Sequence, residues 1–151
     1  NLANKCNKSE IESLILQSGI AFFDKKAAYK DVNMINEATI EAVWNKAGIM
    51  DGFDSNMYRR DACGALIMRD KYGKMNPFGW EIDHIYPQNR GGDDNIDNLR
   101  ALHYMNNRSK RDDYPSYTAI VTFNGKQNVE KMRNLTVNET VRKRIEELYK
   151  K

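Results

Sequence analysis

The chain has 151 residues, 40% of them hydrophobic and 30% charged, and its formal net charge is +3. This composition fits a soluble globular protein with one real core. No apolar run approaches the roughly 20 residues of a membrane-spanning helix, so the sequence predicts no membrane association. The chain begins with Asn1 and without a signal pattern, and we therefore expect a processed product or an excised domain.

The charges are unevenly distributed along the chain. Residues 1–60 carry eight basic and eight acidic groups, residues 61–125 carry eight and nine, and residues 126–151 carry eight and four. The C-terminal segment is therefore a candidate phosphate-contacting surface, although a solvated helix face has the same pattern.

Two helices are predicted in the N-terminal part. The capping-box pair Ser9 and Glu12 indicates a helix over about residues 9–18. A second helix, over about residues 37–47, is expected to stop at Gly48 and to present one apolar face, formed by Ile40, Val43, Trp44 and Ala47.

The central part reads as strand, loop, strand and helix. Residues 80–85 alternate in polarity and predict a strand that displays His84 at its end. Residues 87–95 are rich in Pro, Gly, Asn and Asp and must form a loop. A returning strand is expected over about 99–102, followed by a helix over about 103–110.

The C-terminal part predicts a hairpin and a helix. Residues 117–123 are rich in strand-forming types, and the Asn124-Gly125 pair is a signal for a type I′ turn. The pair Thr136 and Glu139 suggests another capping box. The final helix, over about 138–149, is expected to bury one face, formed by Val141, Ile145 and Leu148.

Four side chains within residues 80–110 have the chemistry of a one-metal nuclease. Asp83 and His84 are adjacent, Asn98 follows His84 by fourteen residues, and Asn107 follows Asn98 by nine. Asp83 and Asn107 can supply oxygen ligands to a hard divalent cation. His84 can deprotonate a water, and Asn98 can lock the loop by bonding its backbone.

The run WEIDHIYPQNRGGDDNIDNLRALHYMNNRSK resembles the HNH endonucleases, also called the ββα-metal family. The resemblance covers about residues 60–113. It is carried by the Asp83-His84 pair, Pro87, the Gly91-Gly92 turn, the stretch from Ile96 to Leu99 and the stretch from Asn106 to Lys110.

The resemblance implies a metal-dependent endonuclease that hydrolyses DNA phosphodiester bonds. It implies His84 as the general base, Asp83 and Asn107 as ligands of one magnesium or manganese ion, and Asn98 as the residue that staples the loop. A backbone carbonyl near Asn98 is expected to orient His84. The last letter of the family name stands for a histidine, whereas the corresponding residue here is Asn107.

Paired cysteines flank the motif in many HNH proteins, whereas here the positions of the second pair are His103 and Asn106. We therefore expect no structural zinc, which takes four nitrogen or sulfur ligands. Cys6 and Cys63 are expected to be free thiols, and a single disulfide between them is the alternative.

Six residues of the motif are candidate contacts to nucleic acid, although each is as well explained as a solvated surface charge or a packing residue. His103 has the further alternative of ligating the metal. The six are Arg90, Arg100, His103, Arg108, Lys110 and Arg111.

We expect a single α+β domain with a central ββα-metal (HNH) unit, N-terminal helices and a C-terminal hairpin plus helix. Its parts are residues 1–59, a helical region packing on the nuclease core, residues 60–113, the HNH core, and residues 114–151, the hairpin and basic helix.

The functional hypotheses fall into three classes. The first is a DNA endonuclease acting on intracellular, cytoplasmic DNA. It is either the toxin domain of a larger secreted effector, delivered from another cell and matched by an immunity protein, or a restriction or phage enzyme. A variant of this first class is an RNA-directed nuclease. The second class is a catalytically inactive nucleic-acid-binding module. The third is a protein-interaction domain that uses the N-terminal helices.

Overall fold

The computed structural model describes residues 35–150. The described residues belong to one compact unit, residues 35–151. The helix predicted over about residues 9–18 and the thiol of Cys6 lie outside the described residues. No helix within residues 35–150 is long and apolar enough to cross a membrane.

Helix α1 spans Glu37–Lys46 and confirms the second predicted helix. The side chain of Asn36 caps it by accepting a hydrogen bond from the Thr39 amide at 2.9 Å. Its apolar face buries Val43 and Trp44, and the ring of Trp44 lies 5.4 Å from that of Trp80. This contact joins the helix to the strand that carries Asp83 and His84.

The central part has the strand, loop, strand and helix order that the sequence predicts. A short antiparallel hairpin comes first, and a second antiparallel hairpin holds the motif and leads into a helix. The elements are β1 (Tyr58–Arg60), β2 (Leu66–Met68), β3 (Trp80–His84), β4 (Leu99–His103) and α2 (Tyr104–Lys110).

The β3–β4 hairpin separates two clusters of buried side chains. One face carries Trp80, Ile82 and Leu99 and packs against α1. The other face carries Leu102 and packs on the C-terminal elements. Because successive side chains of a strand point to opposite faces, the Asp83 and His84 side chains leave β3 on opposite sides.

The C-terminal hairpin consists of β5 (Ser116–Phe123) and β6 (Asn128–Thr136). The predicted type I′ turn is wrong, because residues 124–127 form a four-residue loop between Phe123 and Asn128. A type I′ turn needs positive φ at both central residues, whereas here Gly125 has φ +97° and Asn124 does not. The Asn124 side chain instead accepts hydrogen bonds from the backbone of the loop.

Helix α3 spans Glu139–Tyr149, close to its predicted bounds. Its cap is Asn138, which accepts from the Val141 amide at 2.9 Å, and not Thr136, which still pairs with Ser116 in the sheet. Ile145 is buried as expected, whereas Leu148 is 37% exposed.

Candidate functional site

The loop between β3 and β4 is held by Asn98. This fully buried side chain accepts from the Tyr86 amide at 2.8 Å and donates to the carbonyls of Tyr86, at 3.1 Å, and Asp93, at 3.0 Å. A Cβ on Gly92 would lie 1.9 Å from the Tyr86 carbonyl oxygen, so this close approach requires glycine. The side-chain amide of Asn98 and the close approach at Gly92 together fix the conformation of the loop.

His84 lies at the end of β3, where its side chain is 16% exposed. Its Nε2 atom is 2.7 Å from Oδ1 of Asp94, a residue of the stapled loop. The sequence predicted a backbone carbonyl near Asn98 as the orienting group, and the carboxylate of Asp94 was missed. Two adjacent aspartates, Asp93 and Asp94, occur in the loop, and no sequence pattern says which one faces His84.

Asp83 projects from the opposite face of β3 and is only 3% exposed. Its Oδ2 atom accepts from Nε of Arg100 at 2.8 Å, and its Oδ1 atom lies 3.0 Å from Nζ of Lys110. Burial disfavours the charge of Arg100, but its attraction to and hydrogen bond with Asp83, together with smaller contributions from Tyr117 and Cys63, raise the pKa of Arg100 above its usual value. Each oxygen of Asp83 therefore already has a cationic partner.

The ammonium of Lys110 is fully buried at the end of α2. Besides Asp83, it bonds the backbone carbonyl of His84, at 3.1 Å. One lysine therefore links the helix to both members of the Asp83-His84 pair, one through its side chain and the other through its backbone.

Asn107 and Asn106 have different environments, although they are adjacent in the chain. Asn106 is fully buried and bonds Asp61 and the backbone of β5 through both ends of its amide. Asn107 is half-buried, and its Nδ2 atom lies 3.5 Å from Oε2 of Glu81, which shares a face of β3 with Asp83. Of the two amides, only that of Asn107 faces the acidic side of β3.

His103 is buried in the hairpin, and both its ring nitrogens have partners. Nε2 is 3.0 Å from the Pro77 carbonyl, and Nδ1 accepts from the Met105 amide at the start of α2. Burial lowers the pKa of His103 below its ordinary value. These contacts assign His103 a role in capping the helix and leave neither nitrogen for an external partner.

The other predicted contacts to nucleic acid divide by exposure. Arg90, Arg108 and Arg111 are exposed, whereas Arg100 and Lys110 point inward to Asp83. Among these three exposed residues, Arg108 pairs with Glu81 at 3.1 Å and Arg90 bonds the Tyr114 carbonyl at 3.0 Å, so a phosphate backbone would compete with both contacts.

The donor chemistry of this region fits a hard divalent cation. Asp83 and Asn107 are oxygen donors, which magnesium and manganese prefer. No three His, Cys, Asp or Glu side chains converge on one possible metal position within residues 35–150. Asp83 and the amide of Asn107 are the oxygen donors that could hold such an ion, and the ion would share Asp83 with Arg100 and Lys110.

Comparison with known proteins bears on this segment of the chain. Residues 74–116 match a protein-family model described as HNH endonuclease. No curated protein and no solved structure matches the chain. The matched residues run from the turn before β3 to the start of β5 and include His84, its loop and helix α2. The resemblance predicted from the motif is thereby confirmed over residues 74–116, which are similar to the HNH endonuclease family.

Proposed function

We propose that this chain is a metal-dependent endonuclease that hydrolyses phosphodiester bonds of DNA. The observation that carries the proposal is the His84–Asp94 pair, a partly exposed imidazole held by a carboxylate at 2.7 Å on a rigid loop within the HNH segment. A positioned imidazole is the commonest general base in enzymes.

In the proposed reaction His84 takes a proton from the attacking water. With Nε2 bonded to Asp94, Nδ1 is the nitrogen left to accept that proton. Asp94 then acts as a positioning residue, because it fixes the ring and stabilises the imidazolium that forms. Asn98 supports both residues through the loop.

We assign the ligands of the divalent cation to Asp83 and Asn107, and magnesium or manganese is the expected ion. When bound, such an ion polarises the phosphate and supports the departing 3′ oxygen. Arg90, Arg108 and Arg111 supply exposed positive charge for the backbone of the substrate.

Supercoiled-plasmid cleavage tests the proposal. The wild-type chain should nick or linearise the plasmid with magnesium or manganese and not with EDTA. His84→Ala should lose cleavage and keep its fold, because the His84–Asp94 contact lies near the surface. Glu147→Gln, which changes an exposed acidic residue of α3, is the control and should cut normally.

The other outcomes separate the alternatives. Tight DNA binding without cleavage by any metal would favour an inactive binding module. Cleavage of RNA alone would replace DNA as the substrate. The toxin or restriction setting, cytoplasmic action and an immunity-protein partner stay predictions from the sequence.

A further inference from the structure

A second basic feature of the described unit is a cavity of about 520 Å³. It lies among the end of α1, the end of β1 and the turn that follows it, strands β4 and β6 and the start of α3. None of the residues His84, Asp94 and Asn107 lines it. The titratable residues that line it include five bases and two carboxylic acids: Lys46, Arg60, Arg100, Arg133, Arg144, Asp61 and Asp97.

The two acidic residues do not balance this positive charge. Asp61 is 4% exposed, and its carboxylate accepts hydrogen bonds from the amides of Cys63, Ala65 and His103. Asp97 lies 3.7 Å from Arg144, a loose and exposed pair. The cavity therefore presents an excess of cations.

Arg60 is the most available of these cations. Its side chain is exposed and forms no ion pair with any acidic residue of the described range. Clustered positive charge in a concave surface concentrates anions.

Two of the arginines also carry N–H groups that lack an acceptor. Nε of Arg133 and Nη2 of Arg100 are buried and have no hydrogen-bond partner within residues 35–150. The remaining contacts of Arg133 include the Cys63 carbonyl, and those of Arg100 include Asp83. Unpaired buried donors are rare in native proteins, and a water molecule or a bound ion is their ordinary partner.

The start of α3 adds to the same preference. Asn138, the cap of this helix, and Val141 in its first turn both line the cavity. The N-terminus of a helix carries partial positive charge and attracts anions.

We propose that this cavity binds the phosphate group of a nucleotide. The arginines of β1, β4 and β6 that line the cavity suit the several oxygens of a phosphate, which arginine binds with paired hydrogen bonds. The volume lies within the range of small-molecule sites, and the apolar side chains of Ile85, Leu135 and Val137 offer contacts for an attached sugar. The phosphate belongs either to a free nucleotide or to the backbone of a nucleic acid strand.

Isothermal titration calorimetry in EDTA, with the full chain, tests the proposal independently of cleavage. Thymidine 5′-monophosphate should bind and thymidine should not. Arg60→Gln and Arg133→Gln should each weaken binding about tenfold, because each removes a charge-assisted contact. His84→Ala should bind normally, since His84 does not line the cavity.

Lys131→Gln is the matched control, because Lys131 is an exposed cation of the same strand as Arg133 and does not line the cavity. Circular dichroism checks that each variant is folded. If Arg133→Gln does not fold, the test rests on Arg60→Gln, because Arg60 is exposed and its replacement should leave the fold intact. Equal binding of thymidine and its monophosphate, or equal losses in Lys131→Gln, would overturn the proposal.

Competition against a labelled DNA duplex in EDTA then distinguishes the two sources of phosphate. Displacement of the duplex by the monophosphate would show that the cavity takes a backbone phosphate. Simultaneous binding of both would show that it is a separate nucleotide site. Either result supports the cavity as a phosphate site, provided that Arg60→Gln weakens the binding of the monophosphate.

Discussion

Lys110 and Asp83 form an ion pair at 3.0 Å in which the ammonium is fully buried and the carboxylate is 3% exposed. Arg100 contacts the other carboxylate oxygen, at 2.8 Å. Asp83 is therefore a counter-ion for two inward-pointing cations as well as a candidate metal ligand. A variant of Asp83 should therefore change both stability and metal binding. A variant of Asn107, which is half-buried and faces Glu81, should change mainly metal binding.

We expect Asp83→Ala to lower the free energy of unfolding by about 3–5 kcal/mol, because two buried cations lose their partner. Asn107→Ala should cost about 1 kcal/mol and still abolish metal-dependent cleavage. Urea unfolding in EDTA measures both values. An Asp83→Ala protein as stable as the wild type would contradict the buried ion pairs.

Asp94→Asn should lower kcat for plasmid cleavage by roughly tenfold or more and leave KM nearly unchanged, because the ring of His84 loses its anchoring carboxylate. Asp93→Asn is the matched control, since Asp93 bonds Tyr149 and the Asn95 amide rather than His84. The nitrogen-15 spectrum of the imidazole should report a changed tautomer in Asp94→Asn alone. The same change in both variants would argue against the assigned role of Asp94.

The Cys63 thiol should resist alkylation in the folded protein. It is 2% exposed, and burial raises its pKa to about 12, so almost no thiolate is present near neutral pH. In Cys6→Ser, iodoacetamide should label Cys63 slowly under native conditions and completely in urea. Equally fast labelling in both would show that the thiol is accessible.

Protonation of His103 should lower the free energy of unfolding in acid. Its pKa is lowered in the folded state, so the unfolded chain binds the proton first as the pH drops below about 6.5. The stabilisation from the neutral ring is fully present above that pH and is lost as the pH falls toward the folded-state pKa.

The chain contains two histidines, so His84→Asn leaves His103 as the only one. Thermal unfolding of this variant between about pH 7 and 5.5 should show a falling Tm. The further change His103→Gln should flatten that dependence. An equal slope in the two proteins would assign the acid sensitivity to carboxylates.

Much of the local structure follows from the order of residues. Helix α1, the β3–loop–β4–α2 order and the β5–β6 hairpin each have a periodic pattern or a cluster of turn residues within one segment. Two local predictions were wrong, the type I′ turn at Asn124-Gly125 and the cap of α3 at Thr136. The side chains of Asn124 and Asn138 accept the backbone amide hydrogen bonds at these two places.

The candidate site divides in the same way. The sequence alone determined the motif of Asp83, His84, Asn98 and Asn107, because the spacing of these residue types carries the family resemblance confirmed over residues 74–116. Only the tertiary structure decided their partners. Asp94 faces His84, Lys110 and Arg100 face Asp83, and the arginines of β1, β4 and β6 meet around one cavity. These contacts join residues far apart in the chain, and strand register and helix packing set them rather than any local pattern.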